Sequence, residues 1–293
     1  MNRVRMLVVY LFIGVIVAFL IQNGAYTPAW VMVGLSFMMM LVIRFPNVNT
    51  SKKMEEWLSY PERDKPATRD ISKPHVYYGD ELDYSDEAVI SVLSGHFPFY
   101  NKLSHGDKAK FLDRVFEFME NKSFNIYDYH PVREMPILTS AAAAQVCFGL
   151  KKFKLKHFDI INIYPLTDGQ VDPLISGALK KDAGHAINIA WAQFVEGYDT
   201  PADGQSPGIH EMSKALFWQL FTANNEHDES LEQAYADFSS AKDSGLFAGR
   251  KIACIQDYWG TAVEFFFEEP LALSSSDPGL FAVVKRLLNQ EPQ

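Results

Sequence analysis

The chain has 293 residues, 48% of them hydrophobic, so that with an apolar N-terminus set aside enough remains to bury the core of one domain of ordinary to large size. A formal charge of −9 argues against a nucleic-acid surface, which needs a concentrated basic patch; the one basic cluster, Lys151 to His157, is short and reads as a solvated turn. Two cysteines far apart in apolar surroundings, Cys147 and Cys254, suit buried thiols in a reducing compartment better than a disulfide framework.

Between Arg5 and Arg44 there is no charged residue. The run splits at the polar turn Gln22 to Pro28 into two apolar segments, Met6 to Ile21 and Ala29 to Ile43, each near the short end of what crosses a hydrocarbon core of about 30 Å. Residues 1–44 are therefore expected to form a two-helix transmembrane hairpin. Arg3 and Arg5 precede the first span and Arg44, Lys52 and Lys53 follow the second, which puts both outer ends, and the domain after them, on the cytoplasmic side of the inner membrane. A cleaved leader ending near Ala25 would leave the second segment without a role.

Residues 45–83 are polar and punctuated by Pro46, Pro61, Pro66 and Pro74, the composition of a tether. The domain is expected over 84–293. Ser85-Asp86-Glu87 opens a short amphipathic helix, and Ser104 with Asp107 three residues on forms a capping box ahead of Phe111, Leu112, Val115, Phe118 and Met119 at helical spacing. A further helix runs from about Thr139 to Phe148 and stops at Gly149 as its cap. Phe158 to Pro165 and His185 to Trp191 alternate apolar and polar residues and should pair as strands of one sheet. Helices are expected again at Leu231 to Phe238, Ile255 to Phe267 and Leu280 to Leu288. Helices, a small sheet and more helices make an α+β domain.

The stretch with chemistry in it is Gly208-Ile209-His210-Glu211-Met212-Ser213-Lys214. A His-Glu pair opening an apolar helical run is how a metallopeptidase helix begins, with a second histidine due one turn later. Lys214 holds that place, and a protonated ammonium has no lone pair to give a metal.

Phe97-Pro98-Phe99-Tyr100, Ile163-Tyr164-Pro165, Ile187 to Trp191, Gly208 to Glu211, Ala262 to Pro270 and Leu288 to Pro292 follow one another in an order and spacing that resembles the Mlc titration factor A family of zinc-dependent peptidases, from about Ala88 to Pro292. The resemblance implies a zincin-like fold in which a His-Glu-x-x-His helix supplies two zinc ligands and a general base, and a later helix supplies a third, acidic ligand. Zinc so held acidifies its water and polarises a peptide carbonyl. Position by position, His210 matches the first ligand, Glu211 the base and Asp257 the third ligand, where the family has the longer glutamate. Lys214 replaces the second ligand, and a tyrosine of the family falls on Arg250. His185 and His227 are candidate substitute ligands. Glu264, seven residues after Asp257, reads as a structural or supporting carboxylate, and Phe265-Phe266-Phe267 as packing surface.

These departures suggest that Lys214 sets its own charge where zinc would lie and pairs with Asp257, with Glu211 or Glu264 nearby. Removing one partner of that pair is expected to leave a lone buried charge at a cost of about 3–5 kcal/mol, so that Lys214→Ala should be clearly destabilising. The expectation is a membrane-anchored pseudoenzyme of the peptidase family that holds a peptide or regulatory protein; an active zinc aminopeptidase is the alternative.

Overall fold

The computed structural model describes residues 73–82, 84–127, 132, 134–166, 170–181, 184–199, 204–241 and 245–292. The expected hairpin 1–44, and the stretch 45–83 up to residue 72, lie outside the described residues. Among the described residues no helix is long and apolar enough to cross a membrane.

A four-stranded sheet in the order β1-β2-β3-β4 forms from β1 (His75–Tyr78), β2 (Ser123–Ile126), β3 (Ile160–Tyr164) and β4 (Ala186–Ala190). β1 runs antiparallel to β2, and the other three are parallel. The two strands read from the alternating pattern do pair, Ile161 opposite Ile187 and Ile163 opposite Ile189. The other two carry too little pattern in four residues each, and β1 falls inside the stretch read as a tether. That part of the reading is corrected: residues 75–78 are ladder-bonded structure because β2 offers them a free edge.

The period of two divides the sheet. Phe124, Ile126, Ile161, Ile163, Ile187 and Ile189 are all buried on one face. On the other, Asn125, Asn162 and Asn188 stand in register and bond in series, Asn125 Nδ2 to Asn162 Oδ1 at 3.0 Å and Asn162 Nδ2 to Asn188 Oδ1 at 2.9 Å. This satisfies the wholly buried Asn162 amide, whose orphaned groups would otherwise cost free energy.

Helices α1 (Asp86–His96), α2 (Pro98–Lys102) and α3 (His105–Glu120) precede β2, and α4 (Glu134–Val146) follows it. Ser85 and Ser104 cap α1 and α3 by accepting the Ala88 and Asp107 amides at 3.3 and 3.2 Å. In α4 every residue from Met135 to Val146 is buried, as befits a helix that packs against α1, α3 and the site helix at once. Gly149 is needed here for a different reason from the one its position suggested. Its φ is not left-handed; instead a Cβ would meet Asn289 O at 2.1 Å and Leu288 O at 2.3 Å. The last carbonyls of α4 are capped from far away in sequence, Gln290 Nε2 donating to Gln145 O and Val146 O at 3.1 and 3.0 Å.

After β3 come α5 (Pro173–Lys181), β4, α6 (Trp191–Asp199) and α7 (Pro207–Phe217), the last running into a π-helical turn at Trp218–Thr222. Then follow α8 (Glu229–Ala241), α9 (Ile255–Glu268), α10 (Pro270–Ser276) and α11 (Pro278–Leu288). α7 packs on α9, α4 and β4, so it is held on three sides. The arrangement is α+β and mostly helical.

Candidate functional site

α7 and α9 lie antiparallel, and the polar residues along their seam meet turn by turn. α7 opens with Pro207, whose missing N–H costs nothing at a first helical position, and Gly208, where a Cβ would come within 2.5 Å of the Phe194 ring. Ahead of it the Ser206 amide donates to Glu264 Oε1 at 2.9 Å, and one turn on His210 Nδ1 meets Glu264 Oε2 at 3.1 Å. An acceptor-only carboxylate on Nδ1 leaves the proton on that nitrogen and turns Nε2 inward, where it lies 4.0 Å from Asp257 Oδ1. Gly260 gives the imidazole its room.

A further turn along, Lys214 Nζ donates to Glu211 Oε1 at 3.2 Å and lies 3.3 Å from Asp257 Oδ1. Burial by itself would pull the Lys214 ammonium down, but the Glu211 and Asp257 carboxylates outweigh it and hold the amine above its ordinary range, protonated. Burial likewise acts to raise Asp257, and is overcome by the Cys254 thiol, the Lys214 charge and the Ala253 amide, so its carboxyl sits below the usual range. Cys254 Sγ donates to Asp257 Oδ2 at 3.3 Å. The pair is half-buried, with 32% of the Lys214 side chain and 19% of Asp257 exposed, so the penalty written for a fully buried pair does not apply in full. Trp259 fixes the register from below by donating from Nε1 to Ser213 O at 2.9 Å.

Beside this row opens a cavity of about 210 Å³ lined by His210, Glu211, Arg250, Lys251, Thr261 and Glu264. Arg250 is anchored by a hydrogen bond to Gly204 O and lies over the Phe265 ring, 5.4 Å from its centroid. Tyr164 ends β3 next to the acid-base row. Its phenol is raised by burial and further by the Glu211 carboxylate, with Lys214 opposing.

His210, Glu211, Lys214, Asp257 and Glu264 are thus brought together. His185 and His227 are not. His185 is exposed beside His157, whose ring stacks on Trp218 at 3.5 Å, and His227 Nδ1 pairs with Glu232 Oε1 at 2.9 Å. Sequence reasoning missed Gly260, Cys254 and Tyr164 at the site. The first had a legible signal, because Asp257, Gly260 and Glu264 fall at i, i+3 and i+7 on one helical face. Cys147 is wholly buried, its thiol pushed up to about 12 by burial, whereas Cys254 is only half-buried.

Zinc does not fit the donors as they stand. Asp257 Oδ1, 4.0 Å from His210 Nε2, pairs with a protonated Lys214 rather than with a third donor, and among the described residues no group of three or more His, Cys, Asp or Glu is placed to hold a metal ion. No protein-family model matches this chain, and no curated protein matches it.

Proposed function

We propose that the chain is a membrane-anchored pseudo-peptidase, a zincin-like domain of the Mlc titration factor A kind that binds a peptide or regulatory protein in its cleft without hydrolysing it. The single observation that supports this reading is the Lys214 ammonium bridging Glu211 at 3.2 Å and Asp257 at 3.3 Å. An organic cation there offsets half of the charge of the two carboxylates and keeps α7 against α9, but it has no open coordination site and acidifies no water. Glu211, the residue in the place of a general base, accepts from Lys214 Nζ in this arrangement.

The opposing reading, an active zinc aminopeptidase, draws on the His210–Glu264 contact, since a histidine ligand ordinarily gives its second ring N–H to a carboxylate. One experiment separates them. The full chain, purified in detergent, is assayed for zinc content and for turnover of aminoacyl chromogenic substrates with and without chelator. The pseudo-peptidase reading expects no stoichiometric zinc and no chelator-sensitive turnover. Turnover abolished both by chelator and by Glu211→Gln overturns it.

The anchor is proposed to be the 1–44 hairpin, with the domain facing the cytoplasm, on the strength of the charges flanking the two apolar segments. Reporter fusions after Asn47 test it, and an exported C-terminal side rejects it.

A further inference from the structure

The α7–α9 seam continues past the Lys214–Asp257 pair. On α7, Phe217 lies three residues beyond Lys214 and so on the same side of the helix, and on α9 the chain has reached its first residue, Ile255. Here the helices part around a cavity of about 300 Å³ with Phe217, Phe221, Leu231 and Ile255 on its floor and Glu226 and Glu232 at its rim.

The rim is built. α7 passes into its π-helical turn, the left-handed Asn225 (φ 53°) reverses the chain, and the Glu226 amide returns to Phe221 O at 2.9 Å. π-turns of this kind are frequent at functional sites. Asp228 is fully engaged, accepting the Leu231 amide at 3.1 Å and pairing with Arg286 at 2.7 Å. Glu232 gives one oxygen to His227. Among the described residues, no hydrogen bond or ion pair engages the Glu226 carboxylate.

An aromatic and aliphatic floor under an uncommitted carboxylate matches one kind of occupant, an apolar stem ending in a cation. We propose that this pocket takes a lysine or arginine side chain of a peptide lying across the α7–α9 seam, the stem on Phe217, Phe221 and Leu231 and the charge at Glu226. The cavity on the other side of the row is lined by Arg250 and Lys251 together with the Glu211 and Glu264 carboxylates, so it offers no such uncommitted anionic charge. This inference rests on the peptide-cleft reading and names the ligand class for it.

The test uses the full chain in detergent at low salt. Fluorescein-labelled pentapeptides that differ only in a central Lys, norleucine or Glu are titrated by anisotropy, and n-pentylamine and n-pentanol are compared by ligand-detected NMR. The Lys peptide is expected to bind about three- to fivefold tighter than the norleucine peptide, the gain of one exposed ion pair, and the Glu peptide weaker than both. Glu226→Gln, a surface change whose fold is verified by thermal unfolding, is expected to erase the advantage of Lys over norleucine and of amine over alcohol. Equal binding of Lys and norleucine peptides, or a preference that survives Glu226→Gln combined with Glu232→Gln, overturns the pocket assignment. If no peptide binds but pentylamine does so in a Glu226-dependent way, the peptide-cleft reading falls and the cation pocket stands. If neither class binds, both fall.

Discussion

Gly260 lies flat against the His210 imidazole: a Cβ on that glycine would stand 2.9 Å from Cε1 and Nδ1 and 3.1 Å from Nε2. The ring is held from its edge by Glu264 and from its face by bare backbone. Gly260→Ala is therefore expected to destabilise by about 1–3 kcal/mol through overpacking and to shift the His210 ring resonances. Gly177→Ala, in the middle of α5 with nothing within 4 Å, is expected instead to stabilise by about 0.5–1 kcal/mol. Thermal unfolding of both variants checks the pair, and a neutral Gly260→Ala would mean that the ring has another place to go.

Lys214→Ala leaves Glu211 and Asp257 facing one another without their cation. Because the pair keeps contact with water, the expected loss is about 1 kcal/mol, not the larger cost of stranding a fully buried charge. Lys214→His with Asp257→Glu supplies a third donor beside His210, and zinc uptake by the double variant, read by elemental analysis and by a rise in melting temperature on adding the metal, is the outcome expected on the proposed reading. A double variant that folds but takes up no zinc would show that the space between α7 and α9 is wrong for the ion and not merely filled.

Glu264 is almost wholly buried and serves two donors, the Ser206 amide and His210 Nδ1. Glu264→Ala strands both and is expected to cost about 1–3 kcal/mol per orphaned group. Glu264→Gln retains one carbonyl acceptor and should fall between. Denaturant titration orders the three proteins; equal stability for the alanine and glutamine variants would place the donors' partners elsewhere.

Two lysines give stability opposite pH dependences. Lys122 is 4% exposed, donates to Leu155 O at 3.1 Å, and is pushed by burial down to about 8 from an unfolded value of 10.5, with Asp159 opposing. Between those values the unfolded chain binds more protons, so stability from this group rises with pH, by about 3 kcal/mol in total. Lys214 is raised, so its contribution is complete below its unfolded value of 10.5 and is lost as pH climbs through the folded one. Asp257 is depressed, and its share disappears as pH falls below 3.8 through the folded value. Unfolding free energy measured from pH 7 to 10.5 should climb in the wild type and lose that climb in Lys122→Met; an unchanged slope in the variant would exclude Lys122 as the source.

What the sequence determined by itself was what can be written in local periods. Helical spacing from Ser85, from Ser104 and over Ile255 to Phe267, and two-residue alternation at Ile160 and Ala186, specify elements because each segment carries its own buried face, and the first two helices their own serine caps as well. The same is true of Lys214, whose charge one turn after the His210-Glu211 pair needs no structure to be noticed.

Tertiary structure alone decided the rest, because the forces responsible act between residues far apart in the chain. His75–Tyr78 is a strand only because β2 presents an edge to it, and Gln290 caps α4 across 145 positions. Gly149 and Gly260 are fixed by the backbone and the ring that press on them. Whether Lys214 would face Asp257 or solvent depended on the antiparallel register of α7 and α9. That register is set by the buried Trp259 indole on Ser213 and by Glu264 on Ser206, contacts that no short stretch of sequence contains.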